Sequence, residues 1–302
     1  MRKRRIGTVS FEIKNKKQTV KENIKQIKGY IEEAAYNKID ILCLTESSLT
    51  LNTKEAAKAP GGIFAAEEFP GEITKDFCDF AEKLSINLVL PYYTAEKGKI
   101  FNQTNFISSE GKLIGYYRKV QPTYSEIKYC YAGSEFPVYE LAGIKVSSMT
   151  CLDIYFPEIC RIYAMKGAEI IFWPTLTHGP TQEGLESQYI SRAIDNSVYL
   201  VQSNISRKPP YAPYIGKYEP GRSSIIDYMG DIIANTGRKP GICFADIDFD
   251  EPKITSGVLG ISEPDTVRPQ MESLTRMDLF SKEFLRISKK QNKNKLYFDR
   301  TV

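Results

Sequence analysis

Histidine is nearly missing from this chain of 302 residues, with His178 its single example. The six cysteines (Cys43, Cys78, Cys130, Cys151, Cys160, Cys243) include no Cys-x-x-Cys pair. Together these shortages leave the usual zinc clusters without ligands, and no metal or cofactor is expected. No apolar stretch approaches a membrane span, and no signal-peptide core follows the basic start Arg2-Lys3-Arg4-Arg5. A cytoplasmic protein with reduced thiols is therefore expected. Charge of one sign is also scarce: 26% of residues are charged, yet the net charge is only +4. Such a balance creates no field that demands a nucleic acid or a membrane surface. The basic runs at residues 2–5 and 289–295 read as solvated tails. No internal repeat or low-complexity linker divides the chain. The expectation is one α/β domain over residues 1–262 with a C-terminal extension, 263–302, whose last dozen residues read as a disordered end.

Strands and helices alternate through the first two hundred residues. A strand is expected at 6–11. A helix follows from Thr19, where Thr19 and Glu22 form a capping box and Val20, Ile24, Ile27, Ile31 and Ala34 make one apolar stripe. The run Ile39-Asp40-Ile41-Leu42-Cys43-Leu44-Thr45 reads as a strand covered on both faces, and it ends directly in Glu46. A helix carrying Phe77, Phe80, Ala81 and Leu84 comes next, then strands at 87–92, 101–107 and 113–119, the last two a hairpin around Ser109-Glu110-Gly111. A strand at 143–149 runs into Cys151. Further strands are expected at 169–173, 198–204, 223–228, 231–234 and 242–248, with a helix at 186–196.

Three reactive side chains stand at strand ends: Glu46, Lys119 and Cys151. Strand ends of one sheet gather at one edge, where ligand sites form. A carboxylate, an ammonium and a thiol are a coherent set for acyl transfer, since the thiol can attack a carbonyl or nitrile carbon, the carboxylate move the proton and the ammonium stabilise the oxyanion. Cys151 lies at a strand-to-helix corner, with Pro157 suited to a first helical position and Glu158 to the first turn. A helix N-terminus there lowers the thiol pKa. Each residue alone has a plain alternative: Glu46 as a cap, Lys119 as a solvated hairpin lysine, Cys151 as a buried inert thiol.

The combination resembles the carbon–nitrogen hydrolases of the nitrilase superfamily. The resemblance rests on Leu42-Cys43-Leu44-Thr45-Glu46, Tyr116-Tyr117-Arg118-Lys119 and Cys151-Leu152-Asp153-Ile154-Tyr155-Phe156-Pro157-Glu158. It continues through Phe69-Pro70-Gly71, Asn102-Gln103-Thr104-Asn105, Trp173-Pro174, Arg192-Ala193-Ile194-Asp195-Asn196, Asn204, Gly221-Arg222-Ser223-Ser224-Ile225, Gly230 and Arg268-Pro269, covering roughly residues 5 to 275 in order. It implies an α-β-β-α sandwich, two mixed sheets between helix layers, pairing into a homodimer with an eight-layer stack. It also implies a thioester acyl-enzyme in which Glu46 is the general base, Lys119 the oxyanion stabiliser and Cys151 the nucleophile, with the Leu152 N–H completing the oxyanion hole. Glu126, seven residues before Gly133, is the resemblance's second glutamate, a candidate for positioning substrate and assisting proton transfer; its alternative is an exposed loop residue. Tyr155 and Thr175 are candidates for substrate binding.

Departures from the pattern carry weight too. Thr45 replaces a usual proline, Gln121 a frequent histidine, and Tyr155 a common arginine. Tyr155 cannot make a charged bidentate contact, which disfavours ω-carboxylate amides and N-carbamoyl amino acids. His178, in the loop after Trp173-Pro174, would be the base of a Cys–His hydrolase, a reading no other feature accompanies. Asp153, two residues after Cys151, resembles the amidase and carbamoylase branches. The expected activity is hydrolysis of a linear amide or ureido C–N bond of a small molecule. Nitrile hydrolysis, acyl transfer to another acceptor, or a non-catalytic binding protein on the same fold are the alternatives.

Overall fold

The structure, a computed structural model, describes residues 2–59, 68–176, 182–206, 221–251 and 275–290. Strand β1 (Lys3–Glu12) leads to helix α1 (Val20–Tyr36), β2 (Ile41–Cys43), α2 (Glu72–Leu84), β3 (Asn87–Glu96), β4 (Lys99–Ile107) and β5 (Leu113–Arg118). Then come β6 (Tyr139–Leu141), β7 (Ile144–Ser148), α3 (Pro157–Met165), β8 (Ile170–Pro174), α4 (Gln182–Asn196) and β9 (Tyr199–Ser206). The described chain closes with β10 (Ser224–Ile226), β11 (Ile232–Asn235), β12 (Gly241–Asp248) and α5 (Met277–Ser288).

The α/β class is as the pattern predicts. Hydrogen bonding, however, runs continuously through a mixed 12-stranded sheet ordered β5-β4-β3-β2-β1-β9-β8-β7-β6 rather than through two separate sheets. The join is short. β1 pairs with β12 antiparallel from Lys3 to Ser10, and its last residues, Ser10 to Glu12, switch to β9 in parallel. Because β1, β2 and β3 run parallel to one another, as do β7, β8 and β9, the ends of β2, β7 and β8 reach one region.

Alternation decides which cluster each strand residue enters. Leu42, Leu44, Leu88 and Leu90 pack with Ile27, Ile31 and Ala34 of α1 and Phe77 and Ala81 of α2. Their neighbours Ile41, Cys43 and Val89 join a larger cluster with β7, β8, β9 and helices α3 and α4. Truncating a buried aromatic such as Phe77 to alanine would cost about 3–5 kcal/mol. Helix α1 begins as its sequence specifies: Glu22 N donates to Thr19 Oγ1 at 3.2 Å, and Thr19 N donates to Glu22 Oε2 at 2.7 Å.

The basic start is not a tail. It opens β1, and antiparallel register puts acidic residues opposite it: Arg5 pairs with Asp246, Lys3 with Asp248, and Arg2 with Asp250 and Glu169. The partners stand 167 to 248 residues away, out of reach of any local charge count. Two elements escape the pattern altogether. β6 is three residues long, too short to show a period, and α5 was hidden in a mixture of apolar and basic residues. Among the described residues no helix is long and apolar enough to cross a membrane, and no group of metal-ligating side chains gathers.

Candidate active site

Glu46 follows β2, Lys119 follows β5, and both are nearly inaccessible, 2% and 1% exposed. Lys119 Nζ lies 3.2 Å from Glu46 Oε1 and 2.8 Å from Glu126 Oε2. Glu126 sits on a single helical turn and is itself buried, so the exposed-loop alternative fails. Asn102, on β4, donates from Nδ2 to Glu46 Oε1 at 2.8 Å and to Glu126 Oε1 at 2.9 Å. Tyr93 and the Thr123 N–H add hydrogen bonds to Glu126 at 3.2 and 2.7 Å, and the Leu176 N–H reaches Glu46 Oε2 at 3.0 Å.

Backbone contacts hold Lys119 in place. Its N–H donates to Asn102 O at 2.9 Å, and its carbonyl accepts from Gly133 N at 2.9 Å. Gly133 has to be glycine, because a Cβ there would stand 2.3 Å from the Arg118 carbonyl oxygen. Opposite, Cys151 takes φ 48°, the left-handed region, and opens a turn spanning Cys151–Tyr155. A non-glycine residue there carries roughly 1–2 kcal/mol of strain. Asp153 fastens the turn: its carboxylate accepts from Thr150 N at 2.7 Å, Gln121 N at 3.0 Å and Tyr117 OH at 2.6 Å. The Trp173 indole donates to Cys151 O at 3.0 Å.

The corner differs from the expected one. Helix α3 starts at Pro157, as predicted, but the turn stands between it and Cys151, so the thiol is not at the N-terminus of that helix. Its pKa is accordingly not lowered. Burial pushes it up to about 11, the Glu46 and Glu126 charges add to the rise, and Lys119 and a hydrogen bond from Thr175 oppose it. The other cysteines read as packing residues are free thiols: Cys43, Cys130 and Cys160 are buried, Cys78 and Cys243 partly so.

Charges in the group are fixed by their neighbours. Burial works against the Lys119 ammonium, yet Glu46, Cys151, Glu126 and Tyr93 outweigh it and hold its pKa well above the usual lysine value. Burial likewise opposes the Glu126 carboxylate, but Lys119, the Thr123 N–H and Asn102 bring it down to about 2. Lys119 is thus an ammonium, Cys151 at rest a neutral thiol, and Glu126 a permanent anion.

A cavity of about 360 Å³ opens beside this group, lined by Ser47, Thr50, Tyr93, Ser125, Glu126 and Leu176 among others. Thr175 is buried against Cys151, and Leu152 is half-buried on the turn. Tyr155 is 46% exposed at the turn's far end. His178 lies outside the described residues, as do residues 252–274 with Arg268 and Pro269. Thr45, where the resemblance has proline, bonds through its hydroxyl to Ser203 Oγ at 2.9 Å and Val9 O at 3.2 Å, tying the Glu46 segment to β1 and β9. Asn102 was visible only as a member of a longer run, and Asp153 only as a mark of the amidase and carbamoylase branches; nothing in one sequence marks an amide or a carboxylate as a bridge.

Comparison with known proteins shows the family. The carbon-nitrogen hydrolase family model matches residues 5–253, and the chain belongs to that family, enzymes of the nitrilase superfamily that act on C–N bonds other than peptide bonds. Among curated relatives, human omega-amidase NIT2 is 28% identical over 260 residues, covering 81% of this chain and 88% of that protein. The 2-oxoglutaramate amidase of Bacillus subtilis is 31% identical over 257 residues, 82% of this chain and 91% of its own length. Among solved structures, Nit3 of Saccharomyces cerevisiae superposes with a TM-score of 0.69 at 23% identity, covering 82% of this chain and 90% of that one. An amidase from Nesterenkonia sp. AN1 in complex with acrylamide gives 0.73 at 18% identity, covering 93% and 97%. These two show the same fold.

Proposed function

We propose that the protein hydrolyses a linear amide or N-carbamoyl C–N bond through a Cys151 thioester. The observation that carries the reading is the buried contact of Lys119 with Glu46 at 3.2 Å, with the Cys151 thiol in electrostatic contact with both. A thiol raised to about 11 is not ionised near neutral pH, so Glu46 takes its proton as the sulfur attacks. The new S–C bond converts the carbonyl to an oxyanion, which Lys119 Nζ and the Leu152 N–H stabilise. Collapse breaks the C–N bond, and the leaving ammonia or amine departs with the proton from Glu46. Water then attacks the thioester, again losing its proton to Glu46, and the acid and the thiol are released. Glu126 serves as a fixed charge beside Lys119 rather than as a proton carrier, because each of its oxygens already accepts two hydrogen bonds. Thr175 orients the thiol, and Tyr155 borders the entrance.

In the same reading the two halves of the sheet face each other as an α-β-β-α sandwich, and two copies stack as a homodimer. The exposed Met277, Phe280 and Phe284 of α5, which border an apolar groove against α3, suit such an interface for the extension after residue 262. Six free thiols suit the cytoplasm. The test is a panel of primary amides, ω-amides of dicarboxylates among them because of the amidase relatives, with N-carbamoyl amines and nitriles. Amide or ureido turnover that disappears in Cys151→Ala is expected; turnover of nitriles alone would overturn the choice of substrate, and no turnover would favour a binding protein.

A further inference from the structure

We infer that Asn102 is a positioning residue that orients Glu46 so that its Oε2 is left to accept the thiol proton, by donating one N–H to Glu46 Oε1 and the other to Glu126 Oε1. The inference rests on the hydrolytic reading of Cys151. Asn102 is 3% exposed, and its Nδ2 reaches Glu46 Oε1 at 2.8 Å and Glu126 Oε1 at 2.9 Å. The opposite orientation of the amide would turn its carbonyl toward two carboxylates, so the donors must face them.

Lys119 makes the second bridge between the same carboxylates, closing a ring of four side chains from four separate segments. Asn102 also sets the lysine through the main chain, since its carbonyl accepts the Lys119 N–H at 2.9 Å. The ring leaves the two acids unequal. Glu126 accepts two hydrogen bonds on each oxygen and has no capacity left. Glu46 spends Oε1 on Lys119 and Asn102, while Oε2 meets only the Leu176 N–H at 3.0 Å among the described contacts. Oε2 is therefore the atom with room for the thiol proton.

A further detail supports a functional reason for the amide. Asn102 Oδ1 is buried and has no hydrogen-bond partner among the described residues. An unpaired buried carbonyl is costly, and a leucine of similar size would avoid the cost while supplying no donor.

The experiment compares wild type with Asn102→Leu and Asn102→Ser on the best amide of the panel, recording kcat, KM and the pH profile of kcat/KM. The titratable groups facing the pair are Lys119, Tyr93 and Cys151, all unchanged in both variants. For Asn102→Leu we expect kcat to fall on the order of 10–100-fold with KM within about threefold, and the acid limb to move to higher pH, since a carboxylate deprived of a donor holds its proton more tightly. Asn102→Ser, with one donor, should lie between the two. If Asn102→Leu loses its near-UV circular dichroism, the serine variant decides by the same readouts. Wild-type kcat and profile in both variants, or lost activity with an unmoved acid limb, would overturn the inference. A wild type that turns over no amide would instead sink the hydrolytic reading and take the positioning role with it.

Discussion

Replacing Glu126 by glutamine keeps the shape of the side chain and removes only its charge, which makes it a sharp probe of the ring around Lys119. Four donors converge on the carboxylate: Tyr93 and Asn102 on Oε1, Lys119 and the Thr123 N–H on Oε2. A glutamine NH2 in the place of Oε1 faces a tyrosine hydroxyl that can turn, and an asparagine N–H that cannot. In the place of Oε2 it faces an ammonium and a backbone N–H, which is worse. One or two buried donors left unpaired cost about 1–3 kcal/mol each. Linkage gives a figure of the same size: a pKa lowered from 4.5 to about 2 corresponds to roughly 3 kcal/mol. The sign follows from the direction. A carboxylate depressed in the folded state stabilises the fold above its ordinary pKa, and that contribution fades as pH falls toward the folded value. Urea unfolding of wild type and Glu126→Gln, followed by circular dichroism from pH 7 downward, should show a gap of about 3 kcal/mol at pH 5–7 that narrows steadily below about pH 4.5. A gap that does not change with pH would refute the charged ring, and a variant as stable as wild type at pH 7 would refute its energetics.

Other perturbations read different parts of the site. Lys119→Ala should lower kcat/KM on the order of a hundred-fold or more, as for a removed oxyanion donor, and steady-state kinetics with most activity retained would contradict that role. Asp153, pushed up to about 7 by burial, behaves oppositely to Glu126: its protonated form is favoured in the fold, so its contribution is present below about pH 4 and is lost as pH rises toward 7. The stability gap between wild type and Asp153→Asn should therefore narrow as pH rises over that range, measured by the same unfolding series. For Cys151, alkylation by iodoacetamide should accelerate about tenfold per pH unit from 7 to 10 and level off near 11, whereas a plateau below pH 8 would mean that the thiolate already exists at rest.

Much of the fold could be read from one sequence because its signals are local. Thr19 and Glu22 specify the start of α1, the period of Ile27, Ile31 and Ala34 its buried face, and Ser109-Glu110-Gly111 the turn between β4 and β5. Glu46, Lys119 and Cys151 were legible as reactive side chains ending apolar runs, and the first two meet as a buried ion pair. What stayed hidden depends on partners distant in the chain. Asn102 looks like any polar residue of an alternating strand until Glu46 and Glu126 are brought to the same amide. Arg2 to Arg5 look like a solvated tail until β12 supplies the acids. The thiol pKa of Cys151 was misjudged for a related reason: Pro157 marks the helix start correctly, but residues 152–156 stand between Cys151 and that helix, and burial dominates the pKa.

The sharpest test of the account is acid-quenched mass spectrometry of the protein during turnover of its best amide, followed by peptide mapping. The account predicts an acyl adduct on the peptide containing Cys151 that forms and decays with turnover and is absent from Cys151→Ala. Sustained turnover by Cys151→Ala, or an adduct on any other cysteine, would contradict it.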